Sequence, residues 1–391
     1  MIRGYVFGFA MTDEAKSYGD AELIRSNKGK YNLLIDGYCG SAADKLIAYL
    51  KKRKIKELYL ALSHPHYDHY NGLWKIINDN YFVIKKFYCY KPDSLRGGLR
   101  NNDGSKSVLE DIQALEEIIT TAKKKGIEVA YVDNNSKIQI GDIRINVYRK
   151  QPKRVEDDDE QGWSYVNDGS LCFYFPELYY WTSGDGSERI WDFIKSLGIK
   201  VKYFKIPHHG NNCTESQAKG LKASGCNICW YNYLEPEGIG TTEFTAFGAR
   251  RCVQAGINVL DCVGDINWTA YNGTMTIYHK GKKMGSYGCK YTGLSELVSP
   301  TAEIIRNIFM GKYGKGDARV TNMLDAGYHY GNAQTMVNKV VDVAQKIING
   351  KLDFGKNETR IKNLDKKYGT GYGQLIQDEI NSLLKSKIAK W

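Results

Sequence analysis

Ser63-His64-Pro65-His66-Tyr67-Asp68-His69 sets three imidazoles and a carboxylate within six residues, directly after the apolar run Glu57-Leu58-Tyr59-Leu60-Ala61-Leu62. Imidazole nitrogen and carboxylate oxygen are the usual donors to zinc and similar divalent cations. In a tight turn, residues two apart can put both rings on one ion. His64 and His66 therefore read as a pair, and Asp68 and His69 face a neighbouring position. A histidine-rich surface loop would look similar in isolation. Two later segments argue against that: Thr182-Ser183-Gly184-Asp185 and Pro207-His208-His209-Gly210 offer further donors, each after a strand-like stretch.

Around these segments, residues 1 to about 290 alternate short strands with amphipathic helices. YVFGFAM, AELIRS, YNLLIDGY and ELYLALS read as strands, being rich in aromatic and branched residues and bounded by Gly or charge. VAYVD, KIQIGD, IRINVYRK, SYVNDGSLCFYF, LYYWTSG and KYFKIPHHG read the same way. Residues 42–53, 107–125 and RIWDFIKSLG read as helices. The acidic run Glu156–Glu160 reads as a solvated loop. From about residue 300 strand signals vanish and helical periodicity takes over. The expected class is α/β over 1–292, followed by a small all-α module at 300–341 and a second, degenerate helical repeat at 342–391.

The chain has 391 residues, 42% of them hydrophobic, enough for a real core. No apolar run is long enough to span a bilayer, so membrane insertion is not expected. The N-terminus lacks a signal-peptide layout, which points to synthesis in the cytoplasm. The nine cysteines are odd in number and scattered, which fits reduced thiols better than a disulfide scaffold. Cys226-Asn-Ile-Cys229 stands alone, without the second pair a structural zinc site needs. A net charge of +11 favours an anionic partner such as nucleic acid, teichoic acid or a phosphate-bearing substrate.

HxHxDH after a strand resembles the metallo-β-lactamase superfamily, and three other landmarks of that family appear in order along the chain. Leu34-Ile35-Asp36-Gly37 looks like its early strand end, whose Asp supports the metal loop. The segment ending at Asp185 looks like its SGD motif, whose Asp bridges two metals. Pro207–Gly210 looks like its closing HHG motif. The resemblance implies an αββα sandwich with two divalent ions at one sheet edge. His64 and His66 would hold one ion; Asp68, His69 and His209 the other; Asp185 would bridge. A metal-bridged hydroxide would attack a carbonyl carbon or phosphorus, and His208 or Tyr67 would protonate a leaving group. The superfamily's middle His has no counterpart. Asn167-Asp168-Gly169-Ser170-Leu171 stands there instead, resembling the hydrolase branch related to the DNA-uptake protein ComEC. Asp168 or Asn167 would then supply an oxygen donor, which makes manganese a rival to zinc. Either His208 or His209 can be the ligand, with His209 preferred.

The tail carries a weak internal repeat of about 40 residues. Gly311-Lys312-Tyr313-Gly314-Lys315-Gly316-Asp317, Arg319 and Ala326-Gly327-Tyr328 resemble the Cpl-7-type cell-wall-binding repeat of phage lysins. That resemblance implies binding to peptidoglycan, with Lys312, Tyr313, Asp317, Arg319 and Tyr328 as contacts. Residues 343–384 repeat the pattern with Arg360, Leu364-Asp365 and Tyr368, Leu352 standing in the place of Tyr313 and the turn being longer. The layout suggests a phage-lysin-like wall enzyme, released through a holin, that cleaves a teichoic-acid-type phosphodiester or a peptidoglycan bond. A metal-dependent nuclease is the alternative, and a non-catalytic binding protein the third reading.

Overall fold

The computed structural model describes residues 1–7, 19–98, 104–150, 162–186, 194–232, 247–261, 265–293 and 297–388. The chain forms two compact units: Met1–Lys280 with Met284–Leu294, and Gly281–Lys283 with Ser295–Trp391.

The first unit is built on two mixed sheets. Its strands are β1 (Ile2–Val6), β2 (Glu22–Ser26), β3 (Tyr31–Ile35), β4 (Glu57–Ala61), β5 (Val83–Cys89), β6 (Val129–Tyr131), β7 (Lys137–Ile140), β8 (Ile143–Tyr148), β9 (Cys172–Phe175), β10 (Tyr180–Thr182), β11 (Tyr203–Lys205), β12 (Ile228–Tyr231), β13 (Asn258–Asp261), β14 (Ile266–Tyr271), β15 (Thr274–His279) and β16 (Lys282–Gly288). One sheet runs β16-β15-β14-β1-β2-β3-β4-β5-β6 and the other β13-β12-β11-β10-β9-β8-β7. Side-chain patterning follows position. Edge strand β7 alternates exposed and buried residues, whereas central strands β9 to β12 are buried throughout.

The helices are α1 (Gly40–Lys52), α2 (Tyr67–Asn78), α3 (Gly104–Lys124), α4 (Gly162–Asp168), α5 (Glu215–Ala223) and α6 (Phe247–Gln254). Ala43, Leu46 and Leu50 form the buried stripe of α1 at helical spacing. The inner faces of the sheets share one core, in which Tyr180 of the second sheet packs on Trp268 of the first. A second core sets Ala218, Leu221, Ala249 and Cys252 of α5 and α6 against the other face of the second sheet. The result is helix, sheet, sheet, helix.

Both sheets turn parallel where the chemistry lies. β3, β4, β5 and β6 run parallel, as do β10, β11, β12 and β13. Ile35 pairs with Ala61, and Trp181 with Phe204, so strands β3 and β4, and β10 and β11, end level. Asp36, the His64–His69 loop, Asp185 and His208-His209 all follow the carboxyl ends of these strands. Open α/β sheets place ligands at that edge.

The strand expected over 164–175 is corrected. Residues 162–168 are helix α4, and only Cys172–Phe175 is strand. Tyr, Val and Trp gave the segment a β-like composition, but the helix packs against α3, and Gly169 closes it by donating its N–H to Tyr165 and Val166 carbonyls. Tertiary packing overrode a weak local preference. Strand β1 ends at Val6, Phe7 follows it outside the strand, and residues 8–11 of the expected YVFGFAM strand lie outside the described residues. So do Glu156–Glu160 and the first half of RIWDFIKSLG. The eight described cysteines are all free thiols, Cys226 and Cys229 among them buried.

The second unit is helical: α7 (Ala302–Phe309), α8 (Gly316–Asp325), α9 (Tyr330–Ile348), α10 (Asn357–Tyr368) and α11 (Tyr372–Ile388). The 19-residue α9 runs unbroken across the boundary expected between residues 341 and 342. Ile305, Val320, Met323, Ala333, Val343, Leu364 and Ile376 build its core. No helix among the described residues is long and apolar enough to cross a membrane.

Candidate dinuclear metal centre

Four sequence segments meet at the strand ends. Asp68, His69, Asp185 and His209 bring their ligand atoms within 4.8 Å of one another, and so do His64, His66 and Asp185. Asp185 belongs to both groups. Its Oδ1 lies 3.2 Å from His69 Nε2, and its Oδ2 lies 3.4 Å from His209 Nε2 and 3.9 Å from His64 Nε2. Asp68 Oδ2 lies 3.0 Å from His209 Nε2 and 3.4 Å from His69 Nε2. His64 Nε2 and His66 Nδ1 are 3.1 Å apart. Two donors on one tetrahedral zinc are separated by about 3.3 Å, so these spacings suit shared cations. His69 Nε2 and Asp185 Oδ1 are buried without a hydrogen bond among the described residues. Buried polar atoms left so are costly unless something else binds them. The donor set of imidazoles and carboxylates fits a pair of divalent cations.

The rings are aimed from behind. Asp36 accepts hydrogen bonds from the Ser63 N–H at 2.8 Å, the Ser63 hydroxyl at 2.7 Å and His69 Nδ1 at 2.9 Å. Ser63 Oγ, its proton already given to Asp36, can only accept from His64 Nδ1, 3.0 Å away. Both histidines are thereby held with Nδ1 protonated and Nε2 turned toward the cation position. Tight backbone contacts complete the cradle. A Cβ on Gly184, at φ +51°, would stand 2.3 Å from Ser63 Oγ, and one on Gly19, at φ +117°, 1.8 Å from the Asp68 carbonyl oxygen. Asp36, Tyr38, His208 and His209 also hold positive φ values of 58°, 59°, 51° and 52°. Left-handed backbone at residues other than glycine costs on the order of 1–3 kcal/mol each and gathers at functional sites.

Burial works against charge on His64, His69, His209, Asp68 and Asp185, and the neighbours of each decide the outcome. Burial and the neighbouring His69 and His66 hold His64 well below the ordinary imidazole value, so it is neutral. Burial also opposes charge on His69 and His209. For His69, Asp185, Asp68 and Asp36 outweigh burial and hold it well above its usual value. For His209, Asp185 and Asp20 do the same. Asp68 and Asp185, despite burial, are held well below the carboxylate range by these histidines. Without metal, protons on His69 and His209 thus balance the carboxylates. Cation binding at neutral pH should therefore expel about two protons and weaken as pH falls. Calorimetric titration of zinc into metal-free protein, in buffers of different ionisation enthalpy, reads that number. Binding with no proton release would contradict the charge state argued here.

His208 lies 3.9 Å from Asp185 Oδ2 with its side chain 24% exposed. Burial holds it below its ordinary value, so near pH 7 it accepts a proton rather than donating one. Tyr67 is exposed at the start of α2. Asp168 ends α4, is buried, and joins neither ligand group. Asn167 Oδ1 is buried with no hydrogen-bond partner among the described residues. The loop they precede is tied to the metal loop, since Leu171 N–H donates to the Ser63 carbonyl at 2.9 Å.

Sequence reading missed three residues. Asp111 on α3 stands 3.5 Å from His66 Nε2. Asp20 Oδ1 faces His209 Nδ1 at 3.4 Å, and Lys205, fully buried, donates to Asp20 Oδ2. The available signal was Lys205 itself, a lysine inside a strand otherwise apolar. Asp20 and Asp111 sit in no recognisable pattern.

In the second unit, Lys312 is exposed, Tyr313 and Tyr328 half-buried with ring centroids 6.4 Å apart, and Asp317 lies in the first turn of α8. Arg319 Nε donates to the Gly314 carbonyl at 3.1 Å.

With two mixed sheets between helix layers and four ordered motifs converging on one edge, the architecture is settled. The first unit has a metallo-β-lactamase fold. Residues 302–341 match the CW_7 repeat. Among solved structures, the chain is similar to YhfI, a metallo-beta-lactamase fold protein from Bacillus subtilis. The identity is 12% and the TM-score 0.41, over 68% of this chain and 99% of that one. It is also similar to rubredoxin oxygen:oxidoreductase from Desulfovibrio gigas, at 10% identity and a TM-score of 0.30, over 65% of this chain and 80% of that one. No curated protein sequence matches the chain.

Proposed function

We propose that this protein is a dinuclear metal-dependent hydrolase brought to the bacterial cell wall by its helical unit. One observation carries the reading: a two-cation cradle and a CW_7 repeat lie on a single chain. Two divalent cations, zinc or manganese, would acidify a shared water and stabilise negative charge at the scissile centre. His64, His66, Asp68, His69, Asp185 and His209 hold them, and Asp36, Ser63 and Asp20 orient the rings. His208, neutral and half-open to solvent, stands where it can take a proton from an incoming water. The bond cleaved is a teichoic-acid-type phosphodiester or a peptidoglycan bond. The net charge of +11 complements the anionic wall. Release to the wall through a holin, in the manner of a phage lysin, belongs to the same proposal.

The test is mass spectrometry of material released from purified Gram-positive walls by the wild type and by His64→Ala. Soluble fragments that depend on His64 support the reading, and their masses identify the bond. No release by a metal-loaded protein that sediments with walls would reduce the helical unit to an anchor. The chemistry would then pass to a nuclease or another phosphodiesterase.

A further inference from the structure

We infer that residues 343–388 form a second wall-ligand site equivalent to the first, so that one chain engages the wall at two points; this rests on the cell-wall reading above. Sequence alignment by the Gly-Lys pairs set Leu352 against Tyr313, which made the second copy look degenerate. The hydrogen bonds correct that alignment. In the first repeat, Asn322 Nδ2 donates to the Tyr313 carbonyl at 3.0 Å and Arg319 Nε to the Gly314 carbonyl at 3.1 Å. In the second, Asn363 Nδ2 donates to the Phe354 carbonyl at 3.1 Å and Arg360 Nε to the Gly355 carbonyl at 2.8 Å. The aromatic position is thus kept, as Phe354. The two extra residues of the longer turn fall between Gly350 and Gly355, whose φ values of 69° and 83° match the 75° of both Gly311 and Gly314.

The correspondence continues on each side. Lys315 and Lys356 cap α8 and α10 in the same extended conformation, at φ −129° and −123°. Arg319 Nη1 donates to Gln334 Oε1 at 3.4 Å and Arg360 Nη1 to Gln377 Oε1 at 3.2 Å. Each glutamine then donates to an asparagine one turn on, Asn338 at 2.9 Å and Asn381 at 3.0 Å. Tyr313 pairs with Tyr328 at 6.4 Å between centroids, and Phe354 with Tyr368 at 6.1 Å. Such agreement in unlike sequences exceeds what a helical tail needs for packing.

The shared arrangement points to an anion. Each guanidinium is half-buried and held flat by a backbone carbonyl and a glutamine, and among the described residues neither meets a carboxylate. A charged fork fixed in place and left without a counter-charge suits a carboxylate, which it can bind through two parallel N–H groups. Peptidoglycan peptides carry such carboxylates. Two lysines border the second site: Lys367 Nζ lies 5.1 Å from the Phe354 ring centre and Lys339 Nζ 4.9 Å from that of Tyr368. Because α9 is one continuous helix, the two forks keep a fixed spacing and favour simultaneous engagement.

The experiment is calorimetric titration of the full chain with a purified disaccharide-peptide muropeptide, alongside co-sedimentation with intact walls. The wild type should bind two muropeptides. Arg319→Ala and Arg360→Ala should each bind one, and the double variant none. Retention on walls should fall on the order of 100-fold or more from wild type to double variant. One site in the wild type, with Arg360→Ala unchanged and Arg319→Ala silent, overturns the second site and leaves the wall reading standing. No binding by the wild type to either probe overturns both. If Arg360→Ala fails to fold by circular dichroism, Lys339→Ala/Lys367→Ala, on exposed lysines, takes its place: two sites at wild-type affinity in that variant overturns the proposal.

Discussion

Replacing Asp185 by asparagine should lower wall hydrolysis on the order of 10³-fold or more while the protein stays folded. The change removes one charge and almost no volume. It falls on the residue that faces both ligand groups, with Oδ1 toward His69 and Oδ2 toward His209 and His64. An amide nitrogen cannot donate electrons to a cation, so at most one of the two contacts survives. Metal content by plasma mass spectrometry should drop from two equivalents toward one. The metal-free variant should also bind fewer protons, since His69 and His209 both owe their raised affinity chiefly to Asp185 among the carboxylates. Wild-type activity with two bound metals would remove Asp185 from the bridging position.

Lys205→Met should destabilise the metal-free protein by about 3–5 kcal/mol, the usual effect of breaking a buried ion pair from one side. Lys205 and Asp20 are both almost wholly buried, and Glu22 sits beside them, accepting from Tyr180 and from Trp230 at 3.3 Å. Burial pushes Glu22 up, and Lys205 offsets that rise. Without the ammonium, two carboxyl groups lie in the core with no cation of their own. Asp20 would turn to His209, whose ring it faces, and metal affinity should fall roughly 10- to 100-fold, as for other groups that orient a ligand. Thermal melts and zinc titration measure the two effects. Lys205→Met with Asp20→Asn should recover part of the stability, because the pair is then uncharged. A single variant that melts with the wild type would show that the pair adds nothing.

The candidate metal centre was largely legible because its donors lie in short local motifs: four of them between His64 and His69, others behind Gly184 and Pro207. What lay outside reading range acts through space. Asp20, just ahead of β2, and Lys205, at the end of β11, meet from positions far apart in the chain, and Asp111 reaches His66 from the face of a long helix. None repeats a spacing that sequence can show. Helix α4 was misread because its seven residues are too few for a helical period to show, and its aromatic and branched residues favour strands elsewhere. In the tail, the Gly-Lys pairs were a sound local landmark and a poor guide to equivalence. A two-residue insertion moved the aromatic position, and only the carbonyls taken by Asn322 and Asn363 reveal where it went.

Helix α9 makes the end of the CW_7 match, residue 341, a boundary in sequence but not in matter. A cut there falls inside an unbroken helix and strips Val343 and Ala344, both buried, from the residues they pack with. Trimming, grafting or duplicating a repeat would keep its helices whole only if the join fell in the turn after Ile348, and every added copy would bring two new helices while borrowing its first from the copy before.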